Sequence, residues 1–192
     1  MHDEALRGRL LSDAAALVFD GGVDALSLRR LAAGAGTSTT AVYSLFGNKG
    51  GLLESLYREA ARLFGARLAT VRVTDDPLQD IVRLGIAYRD YARDEPHLYA
   101  VMFSRFGEHE PEARAEAAAT IEPLVDAVRR GQEAGLLEDA PPGRIALSCW
   151  GIAHGLVSLE LAGTVPSGLD ISDDYEAALW AMVQGWSVNR PS

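Results

Sequence analysis

The chain has 192 residues, 23% of them charged, and a formal net charge of −9. This length allows one or two domains with a substantial core. The single cysteine, Cys149, excludes an internal disulfide, and the charged start MHDEALRGRL is unlike a secretory signal peptide, so we expect a cytoplasmic protein.

The first predicted helix runs from about Glu4 to Asp20. Its apolar residues recur every three or four positions, which is the spacing of an amphipathic helix. Gly21 and Gly22 follow, and we expect them to terminate it. The apolar stripe consists of Leu6, Leu10, Ala14, Leu17 and Val18.

Two short helices joined by a tight turn are predicted next. Ser27 is a good N-cap for the first, and the leucines and alanines after it follow helical spacing. Gly34 and Gly36 break that helix, because glycine adopts the left-handed conformation that a tight turn requires. Ser38, or Thr37 beside it, caps the second helix.

The second short helix has an apolar side and a polar side. Ala41, Val42 and Leu45 fall on the side that packs inward. The polar side carries hydroxyl groups and a tyrosine, at Thr39, Thr40, Tyr43 and Ser44. Small hydroxylated side chains at the front of a helix, with an aromatic one turn later, suit a helix that enters the major groove of DNA.

A third helix is predicted to start after Asn48, its cap, with Lys49 at the first position. A lysine beside the positive end of a helix is unfavourable alone, and is explained if a phosphate binds there. Lys49 is also the only lysine among 18 basic residues. Gly50 and Gly51 follow, and each costs about 1 kcal/mol relative to alanine in a helix. We therefore expect this helix start to be loose until DNA orders it.

These residues resemble the DNA-binding domain of the TetR family of bacterial transcriptional regulators. The similarity is carried by the leucine–alanine helix, the Ala-Gly-x-Ser turn, the Val42–Tyr43–x–x–Phe46 run and Lys49 with two leucines after it. With the preceding helix it covers roughly the first third of the chain. The family often has histidine where this chain has Leu45, so one phosphate contact is absent here.

The resemblance implies a homodimer that binds double-stranded DNA at an inverted-repeat operator. The residues implied to face bases are Arg29, Thr39, Thr40 and Ala41. Those implied to hold phosphates are Ser27, Ser38, Tyr43, Ser44 and Lys49. The distribution of charge agrees: residues 1–64 hold seven basic and seven acidic side chains, whereas residues 65–192 hold eleven and twenty. The acidic part, residues 65–192, would repel DNA and leave the neutral head, residues 1–64, to make the contact.

The rest of the chain reads as helices separated by short breaks. No stretch shows strand alternation, so the sequence predicts an all-α fold of about nine helices. Residues 1–48 form the predicted helix-turn-helix DNA-binding domain, and residues 49–192 a helical effector-binding and dimerisation domain. Residues 107–120 are acidic and alanine-rich, and fit either a helix or a mobile loop. The later helices are predicted over 52–64, 78–94, 96–104, 123–134, 145–162 and 172–188.

The helix over 145–162 is apolar nearly all round, with Glu160 its only charged residue. Such a helix is buried on every side. A bilayer span is disfavoured by its polar interruptions and by the lack of basic flanks. We expect the core on one side and a second subunit on the other, because small residues let helices approach closely. Those residues are Ser148, Gly151, Gly155, Ser158 and Ala162, joined by Ala178, Ala181 and Gly185 of the final helix.

Two further segments, residues 87–103 and 150–163, resemble the C-terminal domain of a TetR subgroup that is marked by a Trp-x3-His-Gly run. This resemblance implies dimerisation and a cavity for a small-molecule effector. The implied cavity residues are Tyr88, Tyr91, Tyr99, Met102, Phe103, Leu124, Trp150 and His154. Each also fits a plain core position. Tyr88 and Tyr91 are favoured, because a buried tyrosine hydroxyl needs a partner that a ligand could supply.

The rival classes are an enzyme and an interaction module that does not bind DNA. Cys149 and His154 lie five residues apart, so on a helix their side chains diverge by about 140° and form no dyad. The four histidines are too scattered for a metal site. We therefore expect no catalytic residues, no metal and no cofactor. Repression relieved by a small molecule is favoured, while activation and corepressor-dependent binding use the same parts and stay open.

Overall fold

The computed structural model describes residues 2–103 and 110–188. Within these ranges the fold is all-α, as predicted, with ten helices rather than about nine. The additional helix is the acidic, alanine-rich stretch, which is helical from Pro111 to Ala119. The helices are α1 (His2–Ala25), α2 (Leu28–Gly34), α3 (Thr39–Phe46), α4 (Lys49–Ala69), α5 (Pro77–Asp94), α6 (Pro96–Phe103), α7 (Pro111–Ala119), α8 (Glu122–Glu133), α9 (Pro142–Leu161) and α10 (Ile171–Gly185).

Glycine interrupts α1 where the sequence predicted its end. Gly22 has φ 70° and ψ −179°, outside the helical region. One further turn follows it, so the helix extends to Ala25 instead of ending at Asp20. Leu10, Ala14 and Val18 of the predicted stripe are buried.

The final helix is shorter than predicted, because the backbone after it forms hydrogen bonds with another segment instead of continuing the helix. Leu137 and Ser187 form an isolated antiparallel bridge, the one β-type pairing in the described ranges. The Val188 N–H donates to the Leu136 carbonyl at 3.1 Å. The backbone that would have continued the helix to Val188 is thus bonded to the α8–α9 connection.

The chain divides into two compact units. The first comprises the described residues of Met1–Leu63 and Glu95–Ala118, and the second those of Phe64–Asp94 and Ala119–Ser192. In the first unit α1 packs on α2 and α6, and in the second α5 packs on α8, α9 and α10. The domain boundary predicted after residue 48 stays a prediction. By packing, residues 49–63 and the described residues of 95–118 belong to the first unit.

Two buried polar clusters tie the second unit together. Arg89 donates two hydrogen bonds to Glu160, of 2.7 and 2.8 Å, and a third to Ser172. Its guanidinium also lies 5.0 Å from the centre of the Tyr175 ring. The lone charge of the predicted apolar helix is therefore neutralised by α5.

The second cluster surrounds Asp80, which is 2% exposed. Its carboxylate accepts hydrogen bonds from the Thr74 backbone N–H and from Arg130, both at 2.9 Å, and from the Thr74 hydroxyl at 2.7 Å. Arg130 also donates to the Thr74 carbonyl at 2.9 Å. These bonds fasten the loop before α5 to α8.

Across residues 2–103 and 110–188, no helix combines the length and the apolar composition that crossing a bilayer requires.

Candidate DNA-binding surface and ligand-binding residues

The turn between α2 and α3 is built as the sequence predicted. Ser27 has extended backbone angles, and its hydroxyl accepts a 3.5 Å hydrogen bond from the Arg30 N–H. Gly36 takes φ 64°. Of the two candidate caps for α3, Ser38 is the one used, since its hydroxyl accepts from the Ala41 N–H at 3.1 Å.

One face of α3 is free for contact. Val42 and Phe46 are buried beneath the helix. Thr40 and Ser44 are exposed, and so is 52% of Tyr43. Thr39 and Ala41 are half-buried at the edge of this face, and Arg29 is exposed on α2. The residues predicted to face bases and those predicted to hold phosphates are thus all in the first unit.

The start of α4 adds a cap and a positive charge beside this face. The Asn48 side-chain carbonyl accepts from the Gly51 N–H at 2.9 Å. Lys49 is the first residue of the helix, and its first turn carries no acidic side chain. The Gly47 N–H donates to the Tyr43 carbonyl at 2.8 Å. The arrangement leaves a positive helix end and a lysine available to an anion.

Gly51 has a steric reason to be glycine. A Cβ atom built at this position would lie 2.1 Å from the Phe46 carbonyl oxygen. The looseness predicted for this helix start stays a prediction. Low helix propensity is not the only consequence of glycine at position 51, because a side chain there would clash with α3.

Arg7 is a contact that the sequence did not indicate. Its guanidinium carbon lies 5.9 Å from the centre of the Phe46 ring, at the end of α3. A single arginine on α1 has no distinguishing pattern, so only the folded chain shows this cation–π contact.

The candidate effector residues are divided between the two units. Tyr99, Met102 and Phe103 belong to the first, where the Tyr99 and Phe103 ring centres are 4.8 Å apart. Tyr88, Tyr91, Leu124, Trp150 and His154 belong to the second.

In the second unit, α5 and α9 are linked through the candidate residues themselves. The Tyr88 hydroxyl and His154 Nδ1 are 2.9 Å apart, so this hydroxyl already has a protein partner. The Phe64 ring centre lies 5.2 Å from those of both Tyr88 and Tyr91. Trp150 lies one turn before His154, with ring centres 6.5 Å apart. Burial lowers the pKa of His154, which favours its neutral ring.

The residues considered for an enzyme show no activated nucleophile. Cys149 is buried with its Sγ 3.3 Å from Met182 Sδ, and burial raises the pKa of its thiol to about 12. Because the thiolate is the reactive form, burial disfavours a nucleophilic role for this cysteine in the folded chain. The described residues include no group of histidine, cysteine and carboxylate side chains that could hold a metal ion.

The small-residue stripe of α9 does not pack inside the described chain. Gly151 and Gly155 are exposed, and a Cβ atom at either would meet nothing within 4 Å. The same holds for Gly185 of α10. Ala162 and Ala181 are exposed, and Ser148, Ser158 and Ala178 are half-buried. Large apolar side chains are exposed on the same helix, at Leu147 (59%), Trp150, Ile152, Leu159 and Leu161.

A helix-turn-helix head with a free polar face, on a chain that continues as a helical body, defines a class of DNA-binding transcriptional regulators. Residues 10–56 match the family described as bacterial regulatory proteins, tetR family. Residues 81–186, which include the Trp-x3-His-Gly run, match the tetracyclin repressor-like C-terminal domain. The chain belongs to the TetR family of DNA-binding transcriptional regulators.

Similar proteins extend over nearly the whole chain. The HTH-type transcriptional repressor SCO4008 of Streptomyces coelicolor is 27% identical over 176 residues, covering 87% of this chain and 88% of its own. A solved structure of a protein of unknown function from Rhodococcus sp. RHA1 is 27% identical, with a TM-score of 0.82 and 95% of both chains covered. That of the putative regulatory protein SCO4313 is also 27% identical, with a TM-score of 0.78, covering 94% of this chain and 96% of its own.

Proposed function

We propose that the chain is a homodimeric repressor that binds an inverted-repeat operator and is released from it by a small-molecule effector. The observation that carries the proposal is the free face of α3 beside the capped, carboxylate-free start of α4. The Streptomyces coelicolor relative bears the name of a transcriptional repressor, which favours repression over activation.

In the proposed complex, α3 enters the major groove and α4 presents its N-terminus to the backbone. Arg29, Thr39, Thr40 and Ala41 face base edges, where hydroxyl groups and a small methyl can discriminate between base pairs. Phosphates are held by Ser27, Ser38, Tyr43, Ser44 and Lys49. Only Lys49 and Arg29 carry charge, so the salt dependence of binding is expected to depend strongly on these two.

The second subunit is proposed to cover the exposed faces of α9 and α10. Gly151, Gly155 and Gly185 leave open space above the helix backbones. The flanking leucine, isoleucine and tryptophan side chains supply the apolar area that a stable interface needs. A two-fold axis along this surface would join two heads into one dimer, as an inverted repeat requires.

The effector is proposed to bind at the aromatic and polar residues of the α5–α9 contact. Tyr88 and His154 offer a hydroxyl and a neutral imidazole, and Tyr91 and Trp150 offer apolar area beside them. A ligand with a polar group on an apolar body matches these side chains. Leu124 is a further candidate in the same unit, and Tyr99, Met102 and Phe103 are separate candidates for effector contact in the first unit.

A mobility shift with the promoter DNA that flanks the protein's own gene tests this proposal. We expect a discrete complex that resists competition by a scrambled duplex and dissociates on addition of a ligand found by thermal-shift screening. Equal binding to both duplexes would contradict operator recognition. Tighter binding with the ligand would show a corepressor-dependent regulator instead, and a reporter gene distinguishes repression from activation.

A further inference from the structure

The connection between α3 and α4 is very short. The recognition helix ends at Phe46, and α4 begins at Lys49, so only Gly47 and Asn48 separate them. Gly47 makes the turn with φ 73° and ψ −60°. The start of α4 thereby folds back against the last turn of the helix that presents Thr40 and Tyr43.

Gly51 lies at the closest approach of these two helices. An added Cβ atom there would be 2.1 Å from the Phe46 carbonyl oxygen and 3.3 Å from its carbon. Both distances lie inside ordinary van der Waals contact, and the obstacle is backbone, which cannot rotate aside as a side chain can. An alanine at this position therefore requires the two helix ends to separate.

The neighbouring glycine lacks this constraint. A Cβ atom at Gly50 would meet only the Asn48 side-chain oxygen, at 3.1 Å. That oxygen also accepts the capping hydrogen bond from the Gly51 N–H, but it is at the end of a side chain, so a shift of a few tenths of an ångström relieves the contact and can keep the bond. Gly50 and Gly51 thus have equal helix propensity and different steric surroundings.

The Phe46 carbonyl cannot yield without moving the recognition helix. The Phe46 side chain is buried beneath α3, and Arg7 lies over its ring. Its backbone is also held by the Asn48 N–H, which donates to the same carbonyl oxygen at 2.8 Å. Separation at Gly51 would therefore change the distance between the free face of α3 and the Lys49 end of α4.

We infer that Gly51 is a positioning residue for DNA binding. Having no side chain, it lets α4 start close enough to α3 for Lys49 to reach a phosphate while the α3 face lies in the groove. The inference rests on the proposed function, because it uses the proposed roles of Lys49 and the α3 face.

The matched variants Gly51→Ala and Gly50→Ala test it, with the promoter duplex and a scrambled duplex as probes. We expect Gly51→Ala to bind the promoter duplex at least about tenfold more weakly, a factor that corresponds to about 1.4 kcal/mol. Gly50→Ala should bind as tightly as the wild type. Equal loss in both variants would overturn the inference, because flexibility at the helix start would then be what matters.

A double-mutant cycle with Lys49→Ala separates positioning from general damage. If Gly51 acts through the Lys49 contact, Gly51→Ala should weaken binding much less when Lys49 is already alanine. It should also flatten the salt dependence as Lys49→Ala does. Additive losses with an unchanged salt slope would overturn the inference.

Circular dichroism establishes that Gly51→Ala is folded. If it is not, insertion of one glycine after Gly47, which lengthens the α3–α4 connection without adding a side chain, serves as the second variant, and full operator affinity of that variant would overturn the inference. Failure of the wild type to bind either duplex would instead contradict the proposed function. Equal promoter affinity of the wild type and Gly51→Ala would overturn the inference alone.

Discussion

At the scale of single residues, three side chains of the head accept a backbone hydrogen bond from three positions further on. Ser27, Ser38 and Asn48 each satisfy a donor that the first turn of a helix leaves unbonded. Because capping depends on neighbours in sequence, all three could be read from the sequence. The same caps fix where α3 and α4 begin, and therefore which residues are left for DNA.

Lys49→Ala should weaken binding to every duplex alike. It removes one phosphate contact from each half-site, so the slope of log affinity against log salt should fall by about one per half-site. Fluorescence anisotropy over a series of salt concentrations measures this. Thr40→Ala, by contrast, should change sequence preference while keeping the slope. Wild-type affinity of Lys49→Ala at moderate salt would contradict the assignment of this lysine.

Tyr88→Phe should reduce the response to the effector and leave operator affinity nearly intact. Loss of a neutral hydrogen bond to a ligand costs about 0.5–1.5 kcal/mol, and up to about 3 if the ligand is charged. A titration of operator release against effector concentration measures the change.

Tyr175→Phe is the matched control for that variant. It also removes a buried hydroxyl of the second unit, one that donates to the Gly85 carbonyl at 2.9 Å. If Tyr88→Phe and Tyr175→Phe shift the effector response equally, the effect comes from the core and the ligand binds elsewhere.

At the scale of helices, α9 has two different sides. Ile145, Ala146, Cys149, Ala153 and Val157 are buried in the chain's own core. The glycine side is open. Within the described residues, a single chain therefore covers only one side of α9. The second subunit that we propose would cover the other side.

Gly155→Leu should give a helical, folded monomer at about micromolar concentration that no longer binds its operator tightly. Overpacking costs about 1–3 kcal/mol per site, and a two-fold axis applies it twice. Light scattering and circular dichroism measure mass and folding together. Gly143→Leu, in open space on the first turn of α9 and outside the stripe, is the control. A folded dimer of Gly155→Leu would show that this stripe is not the interface.

The Asp80 cluster joins α5, α8 and the loop between α4 and α5. Burial alone would raise the pKa of Asp80, but hydrogen bonds from Thr74 and Arg130 outweigh it and hold the pKa below its ordinary value. Since the folded-state pKa is the lower one, the carboxylate stabilises the fold above the unfolded-state pKa. That contribution is lost as pH falls through the folded-state pKa.

Asp80→Asn should therefore lower the free energy of unfolding by about 1–3 kcal/mol at neutral pH, because the buried Asp80 side chain loses its charge-assisted hydrogen bonds with Thr74 and the half-buried Arg130. The difference from the wild type should shrink as the pH falls below about 4. Denaturant titrations at several pH values measure it. Asp126→Asn, which breaks an exposed pair with Arg129, should change stability little at any pH. A pH-independent difference for Asp80→Asn would contradict the linkage.

At the scale of the whole molecule, local patterns and distant pairings differ in how well the sequence predicts them. Helical periodicity, caps and glycine breaks depend on residues a few positions apart, so the all-α fold and the free face of α3 could be predicted. The Arg89–Glu160 and Tyr88–His154 pairs join residues 71 and 66 positions apart. No local pattern indicates which arginine will meet the lone glutamate of α9. The steric requirement for glycine at position 51 could not be predicted either, because the atom that excludes a side chain there belongs to another helix.

The family match adds what neither periodicity nor a single chain provides. It places residues 10–56 and 81–186 in a family of DNA-binding regulators. Which operator and which effector bind is tested through the residues that we propose for these contacts, Thr40 and Tyr88. Binding data and the variants above address these two questions separately.

Because Cys149 is buried, the rate at which its thiol is labelled can report local opening of the protein around it. With one thiol in 192 residues and a thiol pKa of about 12, a thiol-reactive dye finds no other target and little thiolate in the folded state. Labelling must wait until the packing of α9 against Met182 of α10 opens. The labelling rate thus measures how often this packing opens. Any effector or DNA fragment that binds the closed form should lower the labelling rate.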